Sequence, residues 1–125
     1  MLLNKSAELK IHLNAQDSHG YTAFHKACIY GHTEIAKMLI KKSIDFKIDL
    51  NAKTDQGKTA FHLACFGNFT SIVEIMIENR NSYKLDLTLK DNMDRNGFQL
   101  AKNHNASEVV KLIMVEYPRI VKETI

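Results

Sequence analysis

Residues 22–28 read TAFHKAC, residues 59–65 read TAFHLAC, and residues 96–102 read NGFQLAK. Ala27, Ala64 and Ala101 hold the same place in each copy, 37 residues apart, so the chain is a tandem array of one structural unit. A short unit of this kind buries its apolar side only against a neighbour, so successive units stack into an open solenoid with a long exposed surface. Such a surface suits binding better than catalysis.

The repetition runs outward from the motif. LNAQDSHGYTAFH from Leu13 aligns with LNAKTDQGKTAFH from Leu50, and LTLKDNMDRNGFQ from Leu87 follows, with Asp94 where the earlier copies carry Gly20 and Gly57. Upstream, LLNKSAELKIHLN from Leu2 aligns with LIKKSIDFKIDLN from Leu39. The predicted division is a single domain over 1–125: the end of a partial leading repeat at 1–13, repeats at 14–50 and 51–87, and a degenerate terminal repeat at 88–125.

Composition agrees. With 125 residues, 45% of them hydrophobic, and one proline, the chain reads as one folded body without a linker. The net charge of +3 is small and the lysines are scattered among acids, which argues against nucleic-acid binding. Lys41 and Lys42 read as a solvated helix end, where cations complement the helix dipole. The apolar runs fall far short of the roughly 20 residues of a membrane span, and no secretory leader opens the chain. Cys28 and Cys65 hold equivalent places in a stack whose helix axes lie roughly 8–10 Å apart, so they read as small buried hydrophobes. Reduced thiols fit a cytoplasmic or nuclear setting.

Each unit divides into helix, turn, helix and arm. Thr22 and Thr59 are placed to cap the first helices, with His25 and His62 three residues on, where a side chain reaches back to the cap; Asn96 and Gln99 repeat the geometry in other chemistry. Gly31, Asn68 and the 103–105 stretch mark the helix ends. The second helices start at Thr33, Thr70 and Ser107, and their apolar pairs predict core faces: Ile35, Ala36, Leu39, Ile40; Ile72, Val73, Met76, Ile77; Val109, Val110, Ile113, Met114. Met38, Met76 and Met114 read as gap fillers in matching core slots. Period-two alternation through Phe46, Ile48 and Leu50, and through Leu85, Leu87 and Leu89, predicts short extended arms, with hairpin turns at 18–20 and 55–57.

These residues resemble the ankyrin repeat family. Its signature of Asp, two residues, Gly, one residue, Thr, Pro, Leu, His and then Ala is matched by Asp17, Gly20, Thr22, Ala23, Phe24, His25 and Ala27, and again by Gly57, Thr59, Ala60, Phe61, His62 and Ala64. The resemblance implies an all-α helix-turn-helix solenoid, with extended arms or β-hairpin loops between repeats. The family period is usually 33 residues, so each unit here carries about four more, placed in the 43–49 and 81–87 connections. Ala23 and Ala60 stand in for the customary proline, and Asp94, Asn96 and Gln99 mark a terminal unit under weaker constraint.

The chemistry of a site is missing from this pattern. His25 and His62 recur with the cap, while His12, His19, His32 and His104 are spread over loops without zinc-site spacing, so no metal or other cofactor is expected. No nucleophile elbow or phosphate loop occurs, and the serines sit in turns and caps, so no enzyme is expected. The resemblance instead implies partner contacts at hairpin tips and on the exposed side of the first helices. In the first repeat it selects Gln16, Ser18, His19, Tyr21, Ile29 and Tyr30. In the second it selects Lys53, Asp55, Gln56, Lys58 and Phe66, and in the third Lys90, Asn92, Met93, Arg95, Asn103 and His104. Tyr21, Tyr30, Phe66 and Arg95 are the expected anchors, since aromatic and arginine side chains dominate interface energetics. The expected function is a non-catalytic, monomeric scaffold or adaptor module that binds a protein on its concave face. The alternative is a regulatory or targeting segment of a larger enzyme or channel.

Overall fold

A threonine with histidine three residues on closes a hydrogen-bonded box at the start of a helix, and the fold repeats that box at a fixed interval. The computed structural model describes residues 13–124; the expectation for 1–13, and His12, lie outside them except for Leu13. Seven helices follow in order: α1 (Ala23–Ile29), α2 (Thr33–Lys41), α3 (Ala60–Phe66), α4 (Thr70–Asn79), α5 (Gly97–Asn103), α6 (Ser107–Glu116) and α7 (Pro118–Thr124). Among the described residues no strand forms. The architecture is therefore an all-helical solenoid of helix pairs, α1 with α2, α3 with α4 and α5 with α6.

Thr22 Oγ1 accepts the His25 N–H at 3.2 Å and His25 Nδ1 accepts the Thr22 N–H at 2.9 Å. Thr59 and His62 make the same pair of bonds in α3, and Asn96 and Gln99 make it in α5 with amide oxygens at 2.9 Å each. Each box satisfies two donors that a helix start leaves open, and a cap of this type contributes about 1 kcal/mol. At the other end Gly31, Asn68 and Asn105 turn left-handed, with φ of 70, 59 and 58°. The turn lets the N–H groups of His32, Phe69 and Ala106 donate back to the carbonyls of Ala27, Ala64 and Ala101 at 2.8, 3.0 and 2.9 Å. The three alanines thus occupy equivalent, buried sites. Their small side chains allow the helices of a pair to approach.

The first helices pack side by side as one layer, α1 on α3 on α5, and the second helices as another, α2 on α4 on α6. The core lies between the layers and between the pairs. Ile72 and Val109 are fully buried, whereas Ile35 at the same position of α2 is 47% exposed. Ile35 lies in α2, the second helix of the first described pair. At the other end Met114 is exposed although its equivalents Ile40 and Ile77 are buried, because among the described residues no further pair covers α6; Val110 is half-buried for the same reason. Ile35, Val110 and Met114 therefore depart from the core faces expected of them. The methionine reading is corrected too: Met38, Met76 and Met114 lie 38 residues apart, one more than the repeat, so they drift around the helix and only Met76 is buried. The matching slots are Leu39, Met76 and Ile113, and all three are buried.

The arms differ from the extended segments expected. After α2 the chain makes one more turn, with the Phe46 N–H on the Lys42 carbonyl and the Ile48 N–H on the Ser43 carbonyl, and Lys47 closes it at φ 53°. Residues 80–85 repeat the device, with Lys84 at φ 57°. Ile48, Leu50, Leu85 and Leu87 still point inward. Asn14 then clamps the arm that follows α2, its amide donating to the Lys47 carbonyl and accepting the Asp49 N–H, and Asn51 does the same for the arm after α4 with Lys84 and Asp86. Beyond α6, Pro118 opens α7 at the first helical position, where its missing N–H costs nothing. Ile120 is buried against the last pair, and the Arg80 guanidinium lies 4.4 Å over the Tyr117 ring.

Candidate functional site

Between one second helix and the next first helix the chain forms a tight hairpin loop, and three such loops line up along one edge. In the first, the Asp17 N–H donates to the Tyr21 carbonyl, the Gly20 N–H returns to the Asp17 carbonyl, and Asp17 Oδ1 accepts the N–H groups of His19 and Tyr21 at 2.9 Å. Those two N–H groups, with a smaller contribution from Lys26 at 3.2 Å, hold the Asp17 carboxyl down at about 2. Thr54 plays the same part with its hydroxyl in the second loop, and Asp91 with its carboxylate in the third. Burial acts to raise the Asp91 carboxyl, but the Arg95 N–H, the Arg95 guanidinium and the Met93 N–H outweigh it and hold it below the usual range.

Neighbouring loops are tied tip to tip. The Asp55 N–H donates to the His19 carbonyl and the Asn92 N–H to the Gln56 carbonyl, each at 3.0 Å, and the Asn92 amide reaches the Asp55 carbonyl. Gln16 and Lys53 add bonds to the Lys53 and Lys90 carbonyls of the next loop. Beneath the tips the caps cross between pairs: His25 Nε2 contacts the carbonyls of Ala52 and Lys58 at 2.9 and 3.2 Å, and His62 Nε2 the Arg95 carbonyl at 2.8 Å. Because Nδ1 of each ring accepts a threonine N–H, the proton belongs on Nε2 and is donated to those carbonyls. Burial favours this neutral form and pushes both imidazoles below their ordinary pKa, against the opposing pull of the carbonyls.

On the hairpin side of the first helices lies a groove of about 240 Å³. The first unit contributes Tyr21 and Ile29, the second Gln56, Lys58, Leu63 and Phe66, and the third Arg95, Leu100 and His104. Phe66 meets the His104 ring edge-on, with centroids 4.6 Å apart. Seven of the residues selected from sequence thus converge on one surface feature spanning three helix pairs. Leu63 and Leu100 were missed, although they stand 37 residues apart; Lys26 holds the same position in α1, paired to Asp17, so the first copy conceals the pattern.

The other selected residues lie apart from the groove. Ser18, Asp55, Asn92 and Met93 are exposed at the loop tips, and Gln16, His19, Lys53 and Lys90 run along the exposed loops. Tyr30 is 67% exposed at the end of α1, its ring tilted against His32. Asn103 is exposed in the last turn of α5. Arg95 lines the groove, yet its guanidinium is bound side-on by Asp91 at 3.0 and 3.1 Å. A larger hollow of about 400 Å³ lies between Arg80, Thr88, Tyr117 and Arg119, and none of the selected residues lines it.

Cys28 and Cys65 are unbonded and buried, and burial raises both thiols. Among the described residues no three His, Cys, Asp or Glu side chains come together to hold a metal, and no helix is long and apolar enough to cross a membrane. A family model described as ankyrin repeats in many copies matches residues 7–64, and one described as the ankyrin repeat matches residues 56–92. No curated protein matches the chain.

Proposed function

We infer that this chain, which belongs to the ankyrin repeat family, is a non-catalytic binding module that engages a protein partner with the side formed by its hairpin loops and first helices. Ankyrin repeats are generally protein–protein interaction modules. The observation that carries the choice of face is the groove, to which three successive helix pairs contribute aromatic, aliphatic and cationic side chains. Elsewhere, the exposed large apolar residues of the second helices are confined to the two ends of the stack, Ile35 and Met38 on α2 and Met114 and Val115 on α6, while α4 between them exposes none. Scattered exposed apolar residues are ordinary, whereas a continuous apolar feature with a polar rim marks an interaction site.

The test places a photoreactive benzoylphenylalanine at Met93 or Phe66 on the proposed face, and at Glu74 or Glu78 on the outer side of α4. Irradiation in cells is expected to give discrete protein adducts from the first two positions only. Adducts from Glu74 and Glu78 with none from Met93 and Phe66 would put the partner on the opposite face.

A further inference from the structure

The groove has a chemical sign. Leu63 and Leu100 are almost fully buried and form its floor, while Tyr21, Ile29 and Phe66 stand around it, with Phe66 49% exposed. Its charged lining is cationic throughout: Lys58 and Arg95 with His104 beside them, and no carboxylate. Asp91 binds both Lys58 and Arg95, at 3.8 and 3.0 Å, but its side chain has no exposure. Two cations therefore share one hidden carboxylate, and what reaches a partner is net positive. A volume of about 240 Å³ is smaller than the roughly 300–1,000 Å³ typical of small-molecule sites and matches a side chain inserted from a larger body.

Building on the reading that this face binds protein, we propose that the groove takes an extended acidic segment of a partner protein, which seats one large apolar side chain on the Leu63 and Leu100 floor and sets carboxylates beside Lys58 and Arg95. The apolar side chain supplies affinity by desolvation against Tyr21 and Phe66. The carboxylates supply orientation and association rate, because opposite charges at a half-buried rim steer encounter.

A phage library of random 12-residue peptides, selected against the intact chain, tests this directly. Recovered clones are expected to share a Leu, Phe or other large apolar residue with Asp or Glu within two positions. Binding of a synthetic clone should weaken about 30-fold on Phe66→Ala, the loss of an interface anchor. Phe66 is half out of the fold, so the variant keeps its structure, which circular dichroism verifies. Replacing the peptide's acids by lysine should abolish binding, and raising salt from about 0.1 to about 1 M should weaken it as the screening length drops from ~10 to ~3 Å. Basic clones, clones without a large apolar residue, an empty selection, or equal binding to wild type and Phe66→Ala would each overturn the proposal. If the photo-adducts at Met93 survive such a result, the face stands and only the groove's occupant is wrong.

Discussion

The caps of α3 and α5 solve one problem with two chemistries. Thr59 with His62 and Asn96 with Gln99 close the same pair of bonds at the helix start, at similar lengths. The difference lies on the far side of the ring, where His62 Nε2 continues to the Arg95 carbonyl of the following loop. Gln99 is followed by α6 and then α7, with no further hairpin to reach. The loops repeat the contrast: Gly20 and Gly57 sit against the tip of the next loop, while Asp94 at the same position has no loop beyond it. Among the described residues, His62 and Gly57 thus stand where a further hairpin loop packs against them, and Gln99 and Asp94 where none does. The histidine belongs to the contact between units as much as to its own cap.

The strongest way to break that comparison is to remove His62. His62→Ala opens the box, leaves the buried Thr59 N–H without its partner at a cost of about 1–3 kcal/mol, and takes one of two donors from the Arg95 carbonyl, which keeps the Asp91 N–H. A destabilisation of about 3 kcal/mol is expected, measured as a drop in the urea midpoint at unchanged slope. His62→Gln, which copies the third cap, should recover about 1 kcal/mol of it through the box. If His62→Gln matches wild type, the bond between units contributes nothing and the comparison fails.

Gly57→Asp copies the third loop into the second and should cost about 2 kcal/mol. A Cβ there would stand 2.8 Å from the Asn92 N atom, at a φ of 77° that a side chain tolerates poorly. The nitrogen that would be displaced is the donor to Gln56. Urea titration again reads the effect, and a loss below a few tenths of a kcal/mol would show that the loops need no close approach.

How far the sequence alone could see follows from the same rule. The register, the caps and the starts of the second helices were legible because each is written in a residue and its neighbours three or four places away. Positions 37 residues apart need not share an environment: Ile35 and Met114 are exposed although Ile72 and Ile77, at the same positions of α4, are buried. The arms misled because Phe46, Ile48 and Leu50 alternate as a strand would, while the chain uses Lys47 at positive φ to end one more turn. Leu63 and Leu100 went unread because Lys26 breaks their repeat, and α7 because Pro118 opens a helix that has no counterpart in the earlier units.

Acid separates the two chemistries without changing geometry. In the fold both His25 and His62 have pKa values below the unfolded imidazole near 6.5, so the unfolded chain binds protons first. Their contribution is complete above about pH 6.5 and is lost as pH falls toward the lowered folded values. A second proton would go on Nδ1, where the threonine N–H already points. Stability should therefore fall below pH 6.5 by up to about 1.4 kcal/mol per pH unit for each histidine. Asp17, held at about 2, and Asp91 lose their contributions at lower pH than this window. The double variant His25→Gln with His62→Gln should be flat between pH 6.5 and about 5. An equally steep profile in that variant would mean that other groups carry the acid response.

The smallest effect runs in the stabilising direction. Asp94 holds φ 63° with 85% of its side chain exposed, and its contact with Lys90 at 3.7 Å is a surface pair of little value. Asp94→Gly relieves the left-handed strain of a side-chain-bearing residue, partly offset by the extra freedom glycine gives the unfolded chain. A net gain of about 0.5 kcal/mol is expected, a small upward shift of the urea midpoint. The sign is what matters: the exchange that Gly57 cannot accept should be mildly favourable in reverse one unit later, because among the described residues no further loop packs against Asp94, whose side chain is 85% exposed. A loss of stability on Asp94→Gly would mean that this aspartate does something for the third loop that the glycines do not do for the first two.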